Sequence, residues 1–155
     1  MRRWILAAAL LLGAPAWAQS PKPFEADSLE RIVGAHRGKP FVLMLWSMDC
    51  EFCQASLELL SKTRATHPGL TVVTVSTDPV SDAALTAQAA KRLAGLGLAE
   101  DAWAFGQASP ERLRYAIDPR WRGEKPRTYW YDAQGKRVTH SGVVTAAMIA
   151  SNGAP

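Results

Sequence analysis

Phe41-Val42-Leu43-Met44-Leu45-Trp46 is an unbroken apolar run, and it leads directly into Ser47-Met48-Asp49-Cys50-Glu51-Phe52-Cys53. A short apolar run with no polar interruption is the pattern of a central strand buried on both faces. The segment after it, from about Cys50 to Thr66, reads as a helix with Phe52, Leu57, Leu59 and Leu60 as core positions, and Pro68-Gly69 ends it. Leu70–Thr77 is rich in β-branched residues and reads as a second strand. Strand, helix, strand implies a right-handed parallel crossover.

Working outward, Ser28–His36 carries Leu29, Ile32 and Val33 at helical spacing, with Ser28 as its N-cap. Ser20-Pro21-Lys22-Pro23 reads as a flexible lead ahead of it. Asp82–Leu93 is a third helical stretch, closed by Gly95 and Gly97, and Trp103–Phe105 a short strand. Ser109-Pro110 places an N-cap before a proline, opening a helix that runs to about Ile117. Arg120–Arg127 is a basic loop containing Pro126. Thr128–Asp132 and Arg137–Gly142 form a hairpin over Ala133-Gln134-Gly135-Lys136, and Thr145–Ser151 is a last short helix. Parallel strands followed by a hairpin give an α/β fold: one mixed β-sheet flanked by helices on both faces.

The chemistry lies where the first strand meets its helix. The chain has two cysteines in 155 residues, Cys50 and Cys53. A bridge between them closes a very small loop, which stabilises less than one closing a long loop. Their place at a helix start favours reactivity instead. The first turn offers unpaired backbone N–H groups and the positive end of the helix dipole, which stabilise a thiolate at Cys50. Cys53, one turn on, faces the same side and can displace a mixed disulfide. Cys50 is therefore the expected nucleophile and Cys53 the resolving thiol. Zinc needs two further ligands, and His36, His67 and His140 lack ligand spacing. An inert structural bridge and a Cu(I) pair assisted by Met44 or Met48 remain the competing readings. Asp49 and Glu51 flank Cys50, and a neighbouring carboxylate opposes thiolate formation, which favours an electron donor over an oxidant.

The first 18 residues have the pattern of a secretory signal peptide. Arg2 and Arg3 precede an apolar stretch, and Ala16-Trp17-Ala18 supplies small residues at a cleavage site. The uncharged run Trp4–Ala18 is 15 residues long, short of the ~20 of a spanning helix. We expect cleavage after Ala18 and a domain over 19–155, with an uncleaved anchor as the alternative. Both place the domain outside the cytoplasm, in a periplasmic setting. Without Arg2 and Arg3 the 18 Lys+Arg become 16 against 14 Asp+Glu, so the net charge drops from +4 to +2. That is too little to argue for nucleic acid.

Two segments carry a resemblance. Leu45-Trp46-Ser47-Met48-Asp49-Cys50-Glu51-Phe52-Cys53 resembles the Phe-Trp-Ala-x-x-Cys-x-x-Cys motif of extracytoplasmic thioredoxin-like proteins of the TlpA/ResA kind. Lys125-Pro126-Arg127-Thr128, followed by Tyr-Trp-Tyr-Asp and Gly135-Lys136, is similar to that family's second conserved segment around a cis-proline. The resemblance covers about Phe24 to the end. It implies a thioredoxin-like fold and thiol–disulfide exchange with client proteins, with no cofactor beyond the Cys50–Cys53 disulfide. It also implies a cis Pro126 facing the cysteines, with Lys125 offering backbone groups to a substrate strand. Trp46 and Arg127 join Lys125 as expected substrate contacts. The implied setting is cytochrome c maturation or metal-centre assembly, with a membrane thiol reductant as recycling partner. Competing functions are a disulfide oxidase or isomerase and a copper chaperone. The sequence departs from the pattern at Met44, where ordinary thioredoxins carry a buried Asp, and at Glu51-Phe52 between the cysteines.

Overall fold

The computed structural model describes residues 19–152, so the expected signal segment lies outside the described residues. The elements are β1 (Lys22–Phe24), α1 (Ser28–Ala35), β2 (Phe41–Trp46), α2 (Glu51–Thr66), β3 (Val72–Pro79), α3 (Ala83–Gly95), β4 (Ala102–Phe105), α4 (Pro110–Ile117), β5 (Arg127–Tyr131), β6 (Arg137–Ser141) and α5 (Ala146–Asn152). They build one sheet in the order β1-β4-β3-β2-β5-β6. β1, β4, β3 and β2 run parallel, and β5 and β6 are antiparallel additions.

The strand pleat sends alternate side chains of β2 to opposite layers. Val42, Met44 and Trp46 meet Cys53, Leu57 and Leu60 of α2, Ala89 and Leu93 of α3, and Ile149 of α5. Leu43 and Leu45 meet Ile32 of α1 and Leu113 and Ile117 of α4. All six β2 residues are buried. The expected mixed sheet with helices on both faces is the architecture found.

Several local expectations are corrected. Lys22 and Pro23 are not a loose lead: they belong to edge strand β1, which pairs in parallel with β4. Phe24, fully buried against Trp103 and Phe105, anchors it. Pro23 is tolerated because an edge strand has one side free of the ladder. Ser28 is the first residue of α1 rather than its cap, and its hydroxyl accepts the Glu25 N–H at 2.8 Å. The second strand starts at Val72, later than expected, and runs on to Pro79 with a register irregularity against β4. Phe52 is not core: it is 66% exposed on the outer face of the first turn of α2.

The hairpin turn needs Gly135, whose φ is +80°. Asp132 stiffens that turn by accepting the N–H groups of Gln134 and Lys136 at 2.9 and 2.8 Å.

Candidate active site

The chain leaves the buried end of β2, turns through Ser47-Met48-Asp49 and reaches Cys50, the N-cap of α2. The Cys50 N–H closes the turn onto the Ser47 carbonyl at 3.3 Å. Asp78, next to the last residue of β3, holds the turn from the side. Its carboxylate accepts the Met48 N–H at 2.8 Å and the Ser76 hydroxyl at 2.9 Å.

Cys50 and Cys53 form a disulfide with Cα atoms 5.2 Å apart. The two sulfurs sit in different surroundings. Cys50 is partly exposed, while Cys53 is fully buried against Met44, Trp46 and Leu57. The Cys53 N–H, shared with the Cys50 carbonyl at 3.1 Å, points at the Cys50 sulfur at 3.2 Å, so a donor of the helix start serves the outer cysteine. Met44 itself is buried, so no carboxylate occupies that position beneath the pair.

Opposite lies the loop before β5. The β2–β5 register brings Leu45 against Arg127, so the next step pairs the end of β2 with Pro126. The Lys125–Pro126 bond is cis. Pro126 is buried, and its carbonyl accepts the Gly142 N–H at 2.9 Å. From Gly142 the chain runs to Val144, whose N–H bonds Ser56 of α2 at 3.1 Å, and the Ser56 hydroxyl donates to the Phe52 carbonyl. The cis-proline segment, the Gly142–Val144 segment and the first turns of α2 thus frame the disulfide.

The expected site residues divide. Glu51 is exposed in the first turn of α2. Lys125 turns its ammonium to the Cys50 loop, donating to Ser47 Oγ at 2.6 Å and Thr77 Oγ1 at 3.2 Å, with Asp49 Oδ1 at 3.7 Å. Ser47 also donates to Asp49. That hydrogen bond, and then the Lys125 charge, hold the Asp49 carboxyl below its ordinary value.

Trp46 and Arg127, expected as substrate contacts, are drawn into the protein. Trp46 has no exposed surface, and its indole N–H is buried without a partner. It packs the core above α2. Arg127 is 14% exposed and is committed to Asp118 at 3.0 Å, Glu124 at 3.0 Å and Ser141 at 2.6 Å. These contacts tie the loop before β5 to Asp118 and to Ser141 of β6. Trp121 of the same loop is buried too, its indole donating to the Glu124 carbonyl. Ser47, Thr77 and Asp78 were not singled out from sequence. They are short polar residues at strand ends, and only the strand pairing brings them together.

Two hollows, of about 440 Å³ beside α1 and about 640 Å³ near Trp103, have no cysteine in their lining. Phe52, between the two cysteines, and Val143, between Gly142 and Val144, are exposed.

No protein-family model matches the chain, and no curated protein matches it. Solved structures similar to it include a secreted Mycobacterium tuberculosis disulfide oxidoreductase homologous to E. coli DsbE. Identity is 21% and the TM-score 0.55, over 76% of this chain and 85% of that one. A putative thiol:disulfide interchange protein DsbE from Chlorobium tepidum is 24% identical, with a TM-score of 0.53 over 77% and 79% of the two chains. StoA from Bacillus subtilis is 17% identical, with a TM-score of 0.52 over 74% and 82%. The chain has a thioredoxin-like fold. In the thioredoxin-like frame, Cys50–Cys53 sits at the carboxyl end of the central parallel strand, beside the cis-proline loop. Among the described residues no helix is long and apolar enough to cross a membrane.

Proposed function

We propose that the protein is a periplasmic thiol–disulfide oxidoreductase that reduces disulfides of client proteins. The observation that carries this reading is the asymmetry of the pair. Cys50 is the partly exposed N-cap and receives the Cys53 N–H, while Cys53 is buried one turn deeper. The reduced protein starts the cycle. The Cys50 thiolate attacks a client disulfide, one client sulfur leaves as a thiolate and takes a proton, and a mixed disulfide remains. Cys53 then gives up its proton and attacks the Cys50 sulfur, releasing the second client thiol. Two electrons pass to the client, and the protein is left with the Cys50–Cys53 disulfide. A membrane thiol reductant returns it to the dithiol. The two sulfurs suffice for this exchange without a bound cofactor.

Reduction as the working direction is supported by Glu51, whose negative charge in the turn of Cys50 disfavours the thiolate and so favours donating electrons. Cytochrome c maturation and metal-centre assembly are the client settings we favour. The exposed Phe52 ring beside the disulfide suits a polypeptide substrate.

The test uses trapping and a potential. Cys53→Ser accumulates mixed disulfides with periplasmic proteins and Cys50→Ser does not; the reverse pattern refutes the assignment of roles. Equilibration with glutathione or dithiothreitol buffers gives the potential. A value near that of a strong oxidant, about −120 mV, replaces the reductase by an oxidase.

A further inference from the structure

Lys125 stands immediately before the cis-proline, and its side chain does not reach for solvent. Its ammonium is drawn back across the site to three oxygens: Ser47 Oγ at 2.6 Å, Thr77 Oγ1 at 3.2 Å and Asp49 Oδ1 at 3.7 Å. These lie on the turn before Cys50 and on β3, so one side chain ties the cis-proline loop to both. The side chain is 25% exposed, whereas Asp49 is 85% exposed. Ser47 accepts from Lys125 and donates to Asp49, so the hydroxyl relays between the two charges.

We propose that Lys125 and Asp49 form a compensating charge pair beside Cys50, in which Lys125, as a positioning residue, keeps the Asp49 carboxylate from suppressing the Cys50 thiolate. The inference rests on the thiol-exchange reading and adds to it a residue that sets how reactive the thiol is. The charged groups around Cys50 are few. Asp49 and Glu51 flank it in the chain, Lys125 comes from the loop before β5, and Asp78 comes from β3 through Met48 and Ser76. From α3, Arg92 approaches through Gln54 and is paired with Glu58. Among the described residues Lys125 is thus the cation tied directly to the Cys50 turn, and Asp49 is the carboxylate it offsets. Without Lys125, two flanking carboxylates act on the thiol against the helix start. Without Asp49, the ammonium acts on the thiol unopposed.

The two substitutions therefore have opposite signs. The pair is solvent-screened, which limits each effect to a factor of about 2 to 5 in the thiolate fraction near neutral pH. The assay is the alkylation rate of Cys50 by iodoacetamide against pH, in a Cys53→Ser background so that one thiol is followed. Lys125→Met slows alkylation at pH 7 by that factor and moves the rate profile to higher pH. Asp49→Asn speeds it and moves the profile to lower pH. The double variant returns close to the parent, and Lys125→Arg keeps the parent profile. A purely structural role for Lys125 would not give shifts of opposite sign. An unmoved profile in Asp49→Asn overturns the proposal, as does an unmoved profile in a folded Lys125→Met protein. If Lys125→Met fails to fold, the Asp49→Asn arm alone decides, by speeding alkylation or not. Exchange with a protein disulfide by the unsubstituted protein is measured separately. Its absence ends the oxidoreductase reading and leaves the alkylation result standing on its own.

Discussion

Arg127→Met tests whether this arginine holds the cis-proline loop rather than a client. Asp118 is buried, with 1% of its side chain exposed, and Arg127 meets it at 3.0 Å while also bonding Glu124 and Ser141. Removing one partner of a buried pair commonly costs about 3–5 kcal/mol, because the other charge is left uncompensated. Asp118 keeps the Arg120 N–H at 3.0 Å and the Tyr129 hydroxyl at 3.4 Å. Methionine gives up the guanidinium that lies over the Tyr129 ring but keeps the apolar stem of the side chain. Both facts lower the expected loss to about 2–3 kcal/mol at pH 7. The pH dependence has a definite sign. Burial pushes the Asp118 carboxyl up, but the Arg120 N–H and the Arg127 guanidinium outweigh it, so the net shift is downward. A carboxylate with a depressed folded value contributes stability above its unfolded value, about 3.9, and loses it as the pH falls through the folded value. The gap between parent and Arg127→Met is therefore constant from pH 7 to 5 and narrows below about pH 4. Urea unfolding at pH 7, 5 and 3 measures it. A gap under ~1 kcal/mol at pH 7, or one that does not narrow in acid, would refute the anchoring role.

Two further outcomes follow from the site. Ser56→Ala removes the acceptor of the Val144 N–H and leaves that buried donor unpaired, at a cost of about 1–3 kcal/mol. Urea unfolding reads the loss, and faster hydrogen exchange at the Val144 amide locates it; an unchanged amide removes Ser56 from the frame of the disulfide. Phe52→Ser leaves stability within ~0.5 kcal/mol, since the ring is exposed. It slows exchange with protein disulfides by about 5-fold or more, for a ring worth ~1–2 kcal/mol when covered, and leaves exchange with glutathione disulfide unchanged. Equal slowing of both substrates would exclude a docking role.

The parts of the molecule legible in its sequence are those whose signal is local. The β2 run, the cysteine pair at a helix start and the Asp132–Lys136 turn each declare themselves within a few residues. β1 does not. It has three residues, one of them proline, and its partner β4 lies about 80 positions away. Its only internal clue is Phe24, which cannot reveal what it packs against. Phe52 looked like core because an apolar residue in a helix usually is, yet the first turn of α2 turns it outward. The site divides in the same way. Cys50, Cys53 and Pro126 stand in recognisable segments, whereas Ser47, Thr77, Asp78 and the inward turn of Lys125 depend on β2, β3 and β5 lying side by side. Arg127 read as available for a client because the charge of Asp118 nine residues earlier gives no sign that it is buried.

The parallel alignment of β1 with β4, β3 and β2 also decides how the protein can be held. In the register of the sheet Lys22 stands level with Trp103, Val75 and Leu45, near the end of β2 from which the chain goes on to the cysteines. Strands β4 and β3 lie between β1 and β2, so three strand steps, about 14 Å, separate Lys22 from β2 across the sheet. A resin, electrode or carrier domain joined ahead of Lys22 therefore holds the molecule by its β1 edge, three strands to the side of the cysteine pair, and leaves the β5 side with the cis-proline loop uncovered.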